Sequence, residues 1–324
     1  MISTNIKEAV HHLNQDKIIG LPTETVYGLA GNAFSEEAIQ SIFTTKKRPS
    51  FNPLIVHIKS LDDLPLVATE IPDVAWELAK AFWPGSLTLI LPKQPHISDT
   101  ITAGKPTVAV RVPKHPMALE LLSQLDFPLV APSANPFGSI GPTKAIHVEN
   151  YFGNQIPLVL DGGSCKAGVE STIIGFEKDK VQLYRYGAVP LEAIEKITGK
   201  VTVFNKSESN PKAPGMLLKH YAPETDFILS RTLLDDIDWY ADKKIGVLLF
   251  QQSVNNLPLE QQIVLAPNGD FETAAARLYD AMHELDSRNF DIIIAERFPD
   301  YGLGCTINDR LERATHKKTT HLKL

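Results

Sequence analysis

The sequence predicts an α/β protein with two domains, the first built on a twisted mixed sheet with flanking helices and the second on a smaller sheet. Three observations lead to this prediction. Short apolar runs of strand length alternate with helix-like apolar stripes along most of the chain. The runs at 171–176 and 181–186 are typical of an antiparallel hairpin. A segment rich in proline and small polar residues, 205–225, then interrupts the pattern before it restarts.

The elements of the first domain are predicted from these patterns in chain order. Ser3 or Thr4 is a suitable N-cap for the first helix, and Ser35, followed by acidic residues, is one for the second. Predicted helices span 6–13, 35–46, 74–82, 117–125, 143–151 and 191–197. Predicted strands span 17–21, 54–58, 86–91, 107–112, 129–131, 158–160, 171–176 and 181–186, and 23–30 is predicted as a turn followed by a strand.

The second domain repeats the alternation on a smaller scale. Strands are predicted at 227–229, 245–250, 263–266 and 291–295, and helices at 271–285 and 306–314. Strands that alternate with helices indicate a small parallel sheet. We therefore expect a catalytic domain at 1–204, a linker at 205–225 and a C-terminal α/β domain at 226–324.

Composition narrows the class of protein. The 324 residues are 43% hydrophobic and 22% charged, enough for two domains and a sizeable core. A net charge of −6 excludes a protein whose whole surface binds nucleic acid, although a local basic cleft is compatible with it. Cys165 and Cys305 do not form a zinc or disulfide pattern. The start of the chain lacks the apolar core of a signal peptide, so we expect a cytoplasmic protein without membrane contact.

The segment Lys46–Pro53 carries the most informative cluster of charges. Lys46, Lys47 and Arg48 stand where a helix gives way to a strand, and proline prevents the helix from continuing. Cations held at such a junction suit a polyphosphate. The alternative is a solvated last helical turn, where cations complement the helix dipole. Asn52 adds an amide able to reach a base or a phosphate.

Ser133-Ala134-Asn135 follows another buried strand. Serine, asparagine and the glycine downstream are also ordinary turn residues, so a plain turn is the alternative to a binding role. No adjacent base or nucleophile elbow supports Ser133 as a nucleophile. Hydroxyl and amide donors that face a phosphate or carboxylate are the functional interpretation.

Several polar side chains lie in otherwise apolar strands. Arg111 and Arg185 each stand alone among apolar residues, where a cation is costly unless it is paired. A structural salt bridge and a carboxylate clamp explain Arg111 equally well. His57 has the alternative of a satisfied core histidine. The remaining hydroxyls have the alternative of ordinary strand formers: Thr23, Thr25, Ser171 and Thr172.

Familiar nucleotide and metal motifs are absent from the sequence. It has no GxxxxGK[ST] loop, no GxGxxG after a strand and no HExxH. Any nucleotide site is therefore expected in a basic cleft rather than a glycine-rich cradle.

Taken together, these motifs resemble one family. They are Pro22-Thr23-Glu24-Thr25-Val26-Tyr27-Gly28-Leu29, Lys46-x-Arg48-Pro49, Asn52-Pro53-Leu54-Ile55-Val56-His57, Ser133-Ala134-Asn135 and Glu170-Ser171-Thr172-Ile173. Their order is similar to that of the YrdC-like family of threonylcarbamoyl-AMP synthases, over about residues 1–200. The linker, with His220-Tyr221-Ala222-Pro223, and the tail, with Gly302-Leu303-Gly304, resemble the longer two-domain form. This resemblance implies a YrdC-like first domain and a Rossmann-like C-terminal domain.

The resemblance implies a reaction. L-threonine, bicarbonate and ATP, with Mg²⁺, would give L-threonylcarbamoyl-adenylate and pyrophosphate. The product would pass to a complex that modifies the adenosine beside the anticodon of ANN-decoding tRNAs, with at most a weak contact between this chain and tRNA. The carbamate of threonine would attack the α-phosphorus of ATP, and cations would stabilise the charge on the phosphate. No protein nucleophile is needed.

The resemblance also implies roles for individual residues. The catalytic signature would be Lys46, Arg48, Ser133 and Asn135, with no protein metal ligand. Threonine would be held by Thr25, His57, Arg111, Ala131 and Ser171. ATP would be contacted by Arg48, Asn52, Thr107, Ser133, Gly141, Arg185 and Tyr221. Gly141 stands where the family usually has serine, so a side-chain contact to ATP is lost there. We also expect the linker to lie over the cleft and to limit release of the adenylate.

Two other functions are weighed against this one. A module that binds double-stranded RNA or tRNA through the basic cleft would show steep salt dependence, but the acidic net charge disfavours it. An enzyme that handles carbamoyl-adenylate, as in hydrogenase maturation, would be expected within a far larger chain with zinc and acylphosphatase segments.

Overall fold

The structure is a computed structural model that describes residues 1–177, 180–205, 211–217, 220–255 and 257–315. These residues form two compact units. Unit 1 consists of Met1–Phe137 and the described residues of Gly141–Leu217. Unit 2 consists of Gly138–Ile140 and the described residues from His220 to Thr315. The predicted domain boundaries at 204 and 226 stay predictions, and part of the predicted linker lies outside the described residues.

Unit 1 contains strands that are mostly short and helices that flank them. Its strands are β1 (Ile2–Ser3), β2 (Ile19–Leu21), β3 (Gly28–Asn32), β4 (Ile55–His57), β5 (Leu87–Pro92), β6 (Thr107–Arg111), β7 (Leu129–Val130), β8 (Val159–Leu160), β9 (Thr172–Glu177), β10 (Lys180–Arg185) and β11 (Thr202–Val203). Its helices are α1 (Ile6–Asn14), α2 (Glu36–Lys46), α3 (Leu64–Val67), α4 (Asp73–Phe82), α5 (Asp99–Thr102), α6 (Pro116–Ser123), α7 (Ala145–Phe152) and α8 (Leu191–Thr198).

The strands of unit 1 form one mixed sheet in the order β1-β8-β2-β3-β7-β4-β6-β5-β9-β10-β11. Strand β4 pairs with β6 in parallel, whereas β5 pairs with β6 in antiparallel fashion. Strands β9 and β10 form the expected antiparallel hairpin. The prediction of an α/β fold with a mixed sheet is therefore confirmed.

One local prediction in unit 1 is wrong and two are confirmed. The first helix is capped by Asn5, whose side chain accepts from the backbone N–H groups of Lys7 and Glu8, while Ser3 belongs to β1. The turn and strand predicted over 23–30 are both present, and the strand begins at Gly28. The Thr23 hydroxyl donates to the carbonyl oxygen of Val26 at 2.6 Å, which closes a local turn before the strand. The Ser35 cap of α2 is confirmed by its bond to the N–H of Ala38.

The two faces of the central strands differ in character. Because side chains alternate along a strand, Val56, Val108 and Val110 belong to the large core on one face. The opposite face carries a small apolar cluster formed by Ile55, Ile90, Ala109, Ile173 and Tyr184, joined by Ala213 and Met216. Residues two positions on from these, such as His57 after Ile55 and Arg111 after Ala109, extend the same face. This face carries the polar side chains singled out from the sequence.

Unit 2 is a smaller α/β unit. Its elements are β12 (Asp226–Ser230), α9 (Leu233–Trp239), β13 (Ile245–Leu249), β14 (Gln262–Val264), α10 (Phe271–Ser287), β15 (Ile292–Glu296) and α11 (Leu303–Ala314). The strands are parallel and ordered β12-β15-β13-β14, which confirms the predicted small parallel sheet. Helix α9 was not predicted, because aspartates interrupt its apolar residues. Within the described ranges, neither unit has a helix long and apolar enough to span a bilayer.

Candidate active site

Arg111, the last residue of β6, is held by a buried ion pair. Its Nη2 lies 2.5 Å from Oε1 of Glu24, and its Nη1 donates to Thr25 Oγ1 at 3.0 Å. The arginine and glutamate side chains are 4% and 8% exposed. The salt-bridge interpretation of Arg111 is therefore correct. It does not exclude the clamp, because Arg111 Nε is buried without a partner among the residues that the structure describes.

The hydroxyls beside Arg111 have a determined hydrogen-bond direction. Thr23 donates its only hydroxyl proton to the carbonyl oxygen of Val26. In the 2.9 Å contact between the Thr23 and Thr25 hydroxyls, Thr25 must then be the donor. Since arginine can only donate, Thr25 also accepts from Arg111. The Thr25 oxygen therefore has no proton left for a ligand and can only accept from one.

His57 ends β4 directly opposite Arg111 in the parallel register of β4 and β6. Burial first, and then the charge of Arg111, lower the pKa of His57 to about 3. The ring is therefore neutral at physiological pH. Its Nδ1 lies 3.2 Å from the carbonyl oxygen of Ile55, so Nδ1 carries the proton and Nε2 is left as an acceptor.

Ser171 stands just before β9 and is bound to Arg185, the last residue of β10. Arg185 donates through Nη2 to the Ser171 hydroxyl and through Nε to its carbonyl, both at 3.0 Å. The Ser171 hydroxyl also lies 2.7 Å from that of Thr88. Arg185 Nη1 contacts the carbonyl of Pro214 at 3.4 Å. The structure thus joins a residue predicted for threonine to one predicted for ATP.

Lys46 and Arg48 are buried, whereas Lys47 between them is exposed. The interpretation of this cluster as a solvated helix end is therefore wrong for both outer cations. Lys47 adopts a left-handed conformation with φ 52°, which turns the chain at the end of α2. The two side chains that flank it are directed into the protein instead of the solvent.

The Lys46 ammonium connects α2 to the segment Ser133–Asn135. It donates to the carbonyl oxygens of Ser133 and Asn135. The backbone carbonyl of Lys46 accepts from the N–H of Phe137 at 2.9 Å. Burial first, and then the Arg48 guanidinium, hold the pKa of Lys46 well below its usual value. The two halves of the predicted signature therefore form one hydrogen-bonded assembly.

Arg48 is fixed at the start of β4. Its Nε donates to the carbonyl of Asn52 at 3.0 Å and its Nη2 to that of Pro53 at 2.7 Å. The Asn52 side chain is fully buried, and neither its oxygen nor its nitrogen has a partner within the described part of the chain. A buried amide without partners is costly unless a ligand supplies them. Asn52 is thus the clearest sign of a ligand on this side of the site.

Of the other residues predicted in unit 1, Thr107 lies in a strand, whereas Ala131, Ser133 and Gly141 lie in loops. Thr107 begins β6, two positions before Ala109 and four before Arg111, so it shares their face. Ala131 is buried after β7, and its N–H donates to the carbonyl of Ile55 at 3.1 Å. Ser133 forms an isolated bridge with Gly28. Gly141 is buried.

Tyr221 lies in unit 2 and is 1% exposed. Its ring centroid is 4.0 Å from that of His220 and 5.6 Å from that of Tyr279. The Arg310 guanidinium lies 5.0 Å from the same ring. The predicted contact of Tyr221 with ATP stays a prediction.

Residues 211–217 of the predicted linker belong to unit 1. Ala213 and Met216 join the small apolar cluster on the face that carries Arg111 and His57. This packing supports the expectation that linker residues lie over the site, which stays a prediction.

Glu24 is the residue that sequence reasoning missed. It was quoted within a motif but given no role, although it is a carboxylate between two threonines. A buried acid requires a partner just as Arg111 does, but nothing in the sequence marks Glu24 as buried.

The described ranges contain no group of three or more histidine, cysteine, aspartate or glutamate side chains placed to hold a metal ion.

Comparison with known proteins gives a consistent result. Residues 11–187 match a family model described as "Telomere recombination", and residues 189–315 match "Threonylcarbamoyl-AMP synthase, C-terminal domain". The chain is 39% identical to the threonylcarbamoyl-AMP synthase of Pyrococcus abyssi, over 96% of this chain and 94% of that protein. It is 38% identical to the Bacillus subtilis threonylcarbamoyl-AMP synthase, over 97% and 94%. The crystal structure of P. abyssi Sua5 complexed with L-threonine matches with a TM-score of 0.90 at 39% identity, over 96% and 94% of the two chains.

Proposed function

Because the chain belongs to the threonylcarbamoyl-AMP synthase family, in its two-domain form, we propose that it makes L-threonylcarbamoyl-adenylate from L-threonine, bicarbonate and ATP. The amine of threonine and bicarbonate give a carbamate and water. A carbamate oxygen then bonds to the α-phosphorus of ATP as the bond to the β-phosphate oxygen breaks, which releases pyrophosphate.

The observation that best supports this proposal is the set of polar groups around Arg111. L-threonine has a carboxylate, an amine and a hydroxyl. Arg111 Nε is a buried donor suited to the carboxylate, whereas Thr25 Oγ1 and neutral His57 Nε2 are acceptors suited to N–H or O–H groups. Ala131 and Ser171 are the other residues proposed to hold threonine. The P. abyssi relative was solved with L-threonine, which agrees with this class of ligand.

We propose that Lys46 and Arg48 supply positive charge to the nucleotide phosphates. Their bonds to backbone carbonyls fix both groups before the substrate arrives, and such preorganised charge favours a transition state that gathers negative charge. The other proposed contacts to ATP are Asn52, Thr107, Ser133, Gly141, Arg185 and Tyr221, with Asn135 completing the signature. We assign Mg²⁺ to the substrate as MgATP, since Mg²⁺ in nucleotide sites is bound largely by phosphate oxygens and water.

The product defines the partner that we propose. A mixed anhydride of a carbamate and a phosphate is reactive toward nucleophiles, so it suits direct transfer to an acceptor amine. We propose that a cytoplasmic tRNA-modifying complex consumes it and places the threonylcarbamoyl group on the adenosine next to the anticodon of ANN-decoding tRNAs.

Release of pyrophosphate from MgATP tests this function. The rate should depend on both L-threonine and bicarbonate, and should be much lower with L-serine in place of L-threonine. Folded protein that releases no pyrophosphate in response to threonine would overturn the proposal. Binding to tRNA that weakens steeply with salt would then favour the RNA-binding alternative.

A further inference from the structure

Glu24 satisfies more donors than an ion pair with Arg111 requires. Its Oε1 accepts from Arg111 Nη2 at 2.5 Å and from the Ser86 hydroxyl at 3.0 Å. Its Oε2 accepts from the backbone N–H of Lys114 at 2.9 Å. The donors come from three separate segments: β6, the turn before β5 and the loop after β6. A carboxylate held in this way has one defined position and direction.

The fixed carboxylate in turn fixes the guanidinium of Arg111. Glu24 engages Nη2 and Thr25 engages Nη1, so two nitrogens of the planar group are tied to protein atoms. The third nitrogen, Nε, is buried and has no partner among the residues that the structure describes. An incoming carboxylate is therefore directed to the edge of the planar guanidinium that carries Nε.

From these contacts we propose that Glu24 is a positioning residue for substrate threonine, acting through Arg111. It orients the Arg111 guanidinium so that Nε receives the substrate carboxylate. It also holds Arg111 as the donor to Thr25, which leaves the Thr25 oxygen as an acceptor for the substrate amine. This inference rests on the proposed function and names a residue that selects for a free α-carboxylate.

Glu24→Gln tests this role because an amide cannot reproduce the three bonds. The substitution replaces one acceptor oxygen by an NH₂ group, so either Arg111 or the Lys114 N–H faces another donor. Glu36→Gln is the matched control. Glu36 also accepts from three donors, Gln40, Ser98 and Thr100, but it is exposed in the first turn of α2. Both variants therefore lose one charge and disturb the same number of hydrogen bonds.

The readout compares L-threonine with L-threoninamide, which lacks the carboxylate charge, in binding and in threonine-dependent pyrophosphate release. In the wild type, the amide should bind about 10-fold more weakly than threonine, or about 1.4 kcal/mol, because it loses the charge of the group that accepts from Arg111 Nε. Glu24→Gln should raise the KM for threonine at least about 10-fold, leave the KM for ATP within about 2-fold and reduce the preference for threonine over its amide. Glu36→Gln should keep the wild-type preference.

The outcomes separate this inference from the proposed function. A wild type without threonine-dependent turnover overturns the proposed function. An active wild type, with Glu24→Gln weakened equally toward threonine and its amide, overturns the positioning role, because a purely structural residue would act on both alike. If Glu24→Gln does not fold, Ser86→Ala decides. It removes one donor to Glu24 and should shift the same preference by about 2-fold, whereas no shift would contradict the role.

Discussion

The two cationic regions of the candidate site are stabilised in different ways. Arg111 is paired with the carboxylate of Glu24, so that a charge of one sign cancels the other. Lys46 is bound to two backbone carbonyls and has no ion pair among the described residues, so that its contacts are satisfied without neutralising it. Arg48 likewise donates to the carbonyls of Asn52 and Pro53.

This difference indicates what each region contributes. A neutralised guanidinium still has directional donors, so the Arg111 region selects a substrate by geometry. Lys46 is held by neutral carbonyls and keeps its field, so its region suits a highly charged group such as a triphosphate. The burial of Lys46 has a cost, visible in its lowered pKa, which an incoming phosphate would offset.

The largest expected effect is that of Arg111→Ala, which tests both the ion pair with Glu24 and the binding of threonine. Arg111→Ala leaves Glu24 as a buried, unpaired charge, so the free energy of unfolding should fall by about 3–5 kcal/mol. The KM for threonine should rise on the order of 100-fold, far more than the KM for ATP. Urea unfolding and steady-state pyrophosphate release measure the two effects. Equal increases in both KM values would mean that Arg111 is structural.

A double variant sharpens this result. In Arg111→Met with Glu24→Met, neither charge is left unpaired, so most of the lost stability should return. Affinity for threonine should not return. A double variant as unstable as Arg111→Ala would show that the ion pair itself, rather than an orphaned charge, accounts for the loss.

The next effect concerns the neutral partners of Lys46. Lys46→Met deprives the carbonyls of Ser133 and Asn135 of a donor, so stability should fall by about 2–4 kcal/mol for the two buried groups. Turnover should fall on the order of 100-fold as the phosphate loses a fixed cation. Lys47→Met is the control, since it removes the same charge from the adjacent, exposed position. Equal stability and equal turnover of the two variants would contradict a functional role for the buried Lys46.

Replacing Asn52 is expected to affect stability and ATP binding in opposite directions. Its buried amide makes no bond to any described residue, so Asn52→Leu, of similar volume, should leave stability unchanged or raise it by about 1 kcal/mol. Affinity for ATP should nevertheless fall about 10-fold, or about 1.4 kcal/mol. Thermal unfolding without nucleotide and titration with ATP test the two parts. A clear loss of stability would assign Asn52 to the fold and not to the ligand.

Most of the fold and part of this contrast were predictable from the sequence. Apolar periodicity located the hairpin of β9 and β10 and the parallel sheet of unit 2, because those patterns reflect local burial. It missed α9, where aspartates interrupt the stripe. The sequence also predicted the cap of α1 at Ser3 or Thr4 instead of Asn5, because all three residue types can cap a helix.

Arg111 was singled out because an isolated charge in an apolar strand is costly. Its partner Glu24 lies 87 positions away and could not be identified from the local sequence pattern. The burial of Lys46 could not be predicted either. Its partners are backbone carbonyls, which every residue has, so the sequence does not distinguish them.

The smallest expected effect is a pH dependence of stability that arises from His57 in the Arg111 region. His57 has a folded pKa of about 3 against an ordinary 6.5, so the unfolded chain binds its proton first as the pH falls. Stability from this group is therefore complete above about pH 6.5 and decreases below it, by about 1 kcal/mol between pH 6.5 and 5.5. His57→Gln should remove this part of the slope in urea unfolding measured at the two pH values. An unchanged slope would mean that His57 does not stay neutral in the fold, and that its Nε2 is not the acceptor that the threonine site requires.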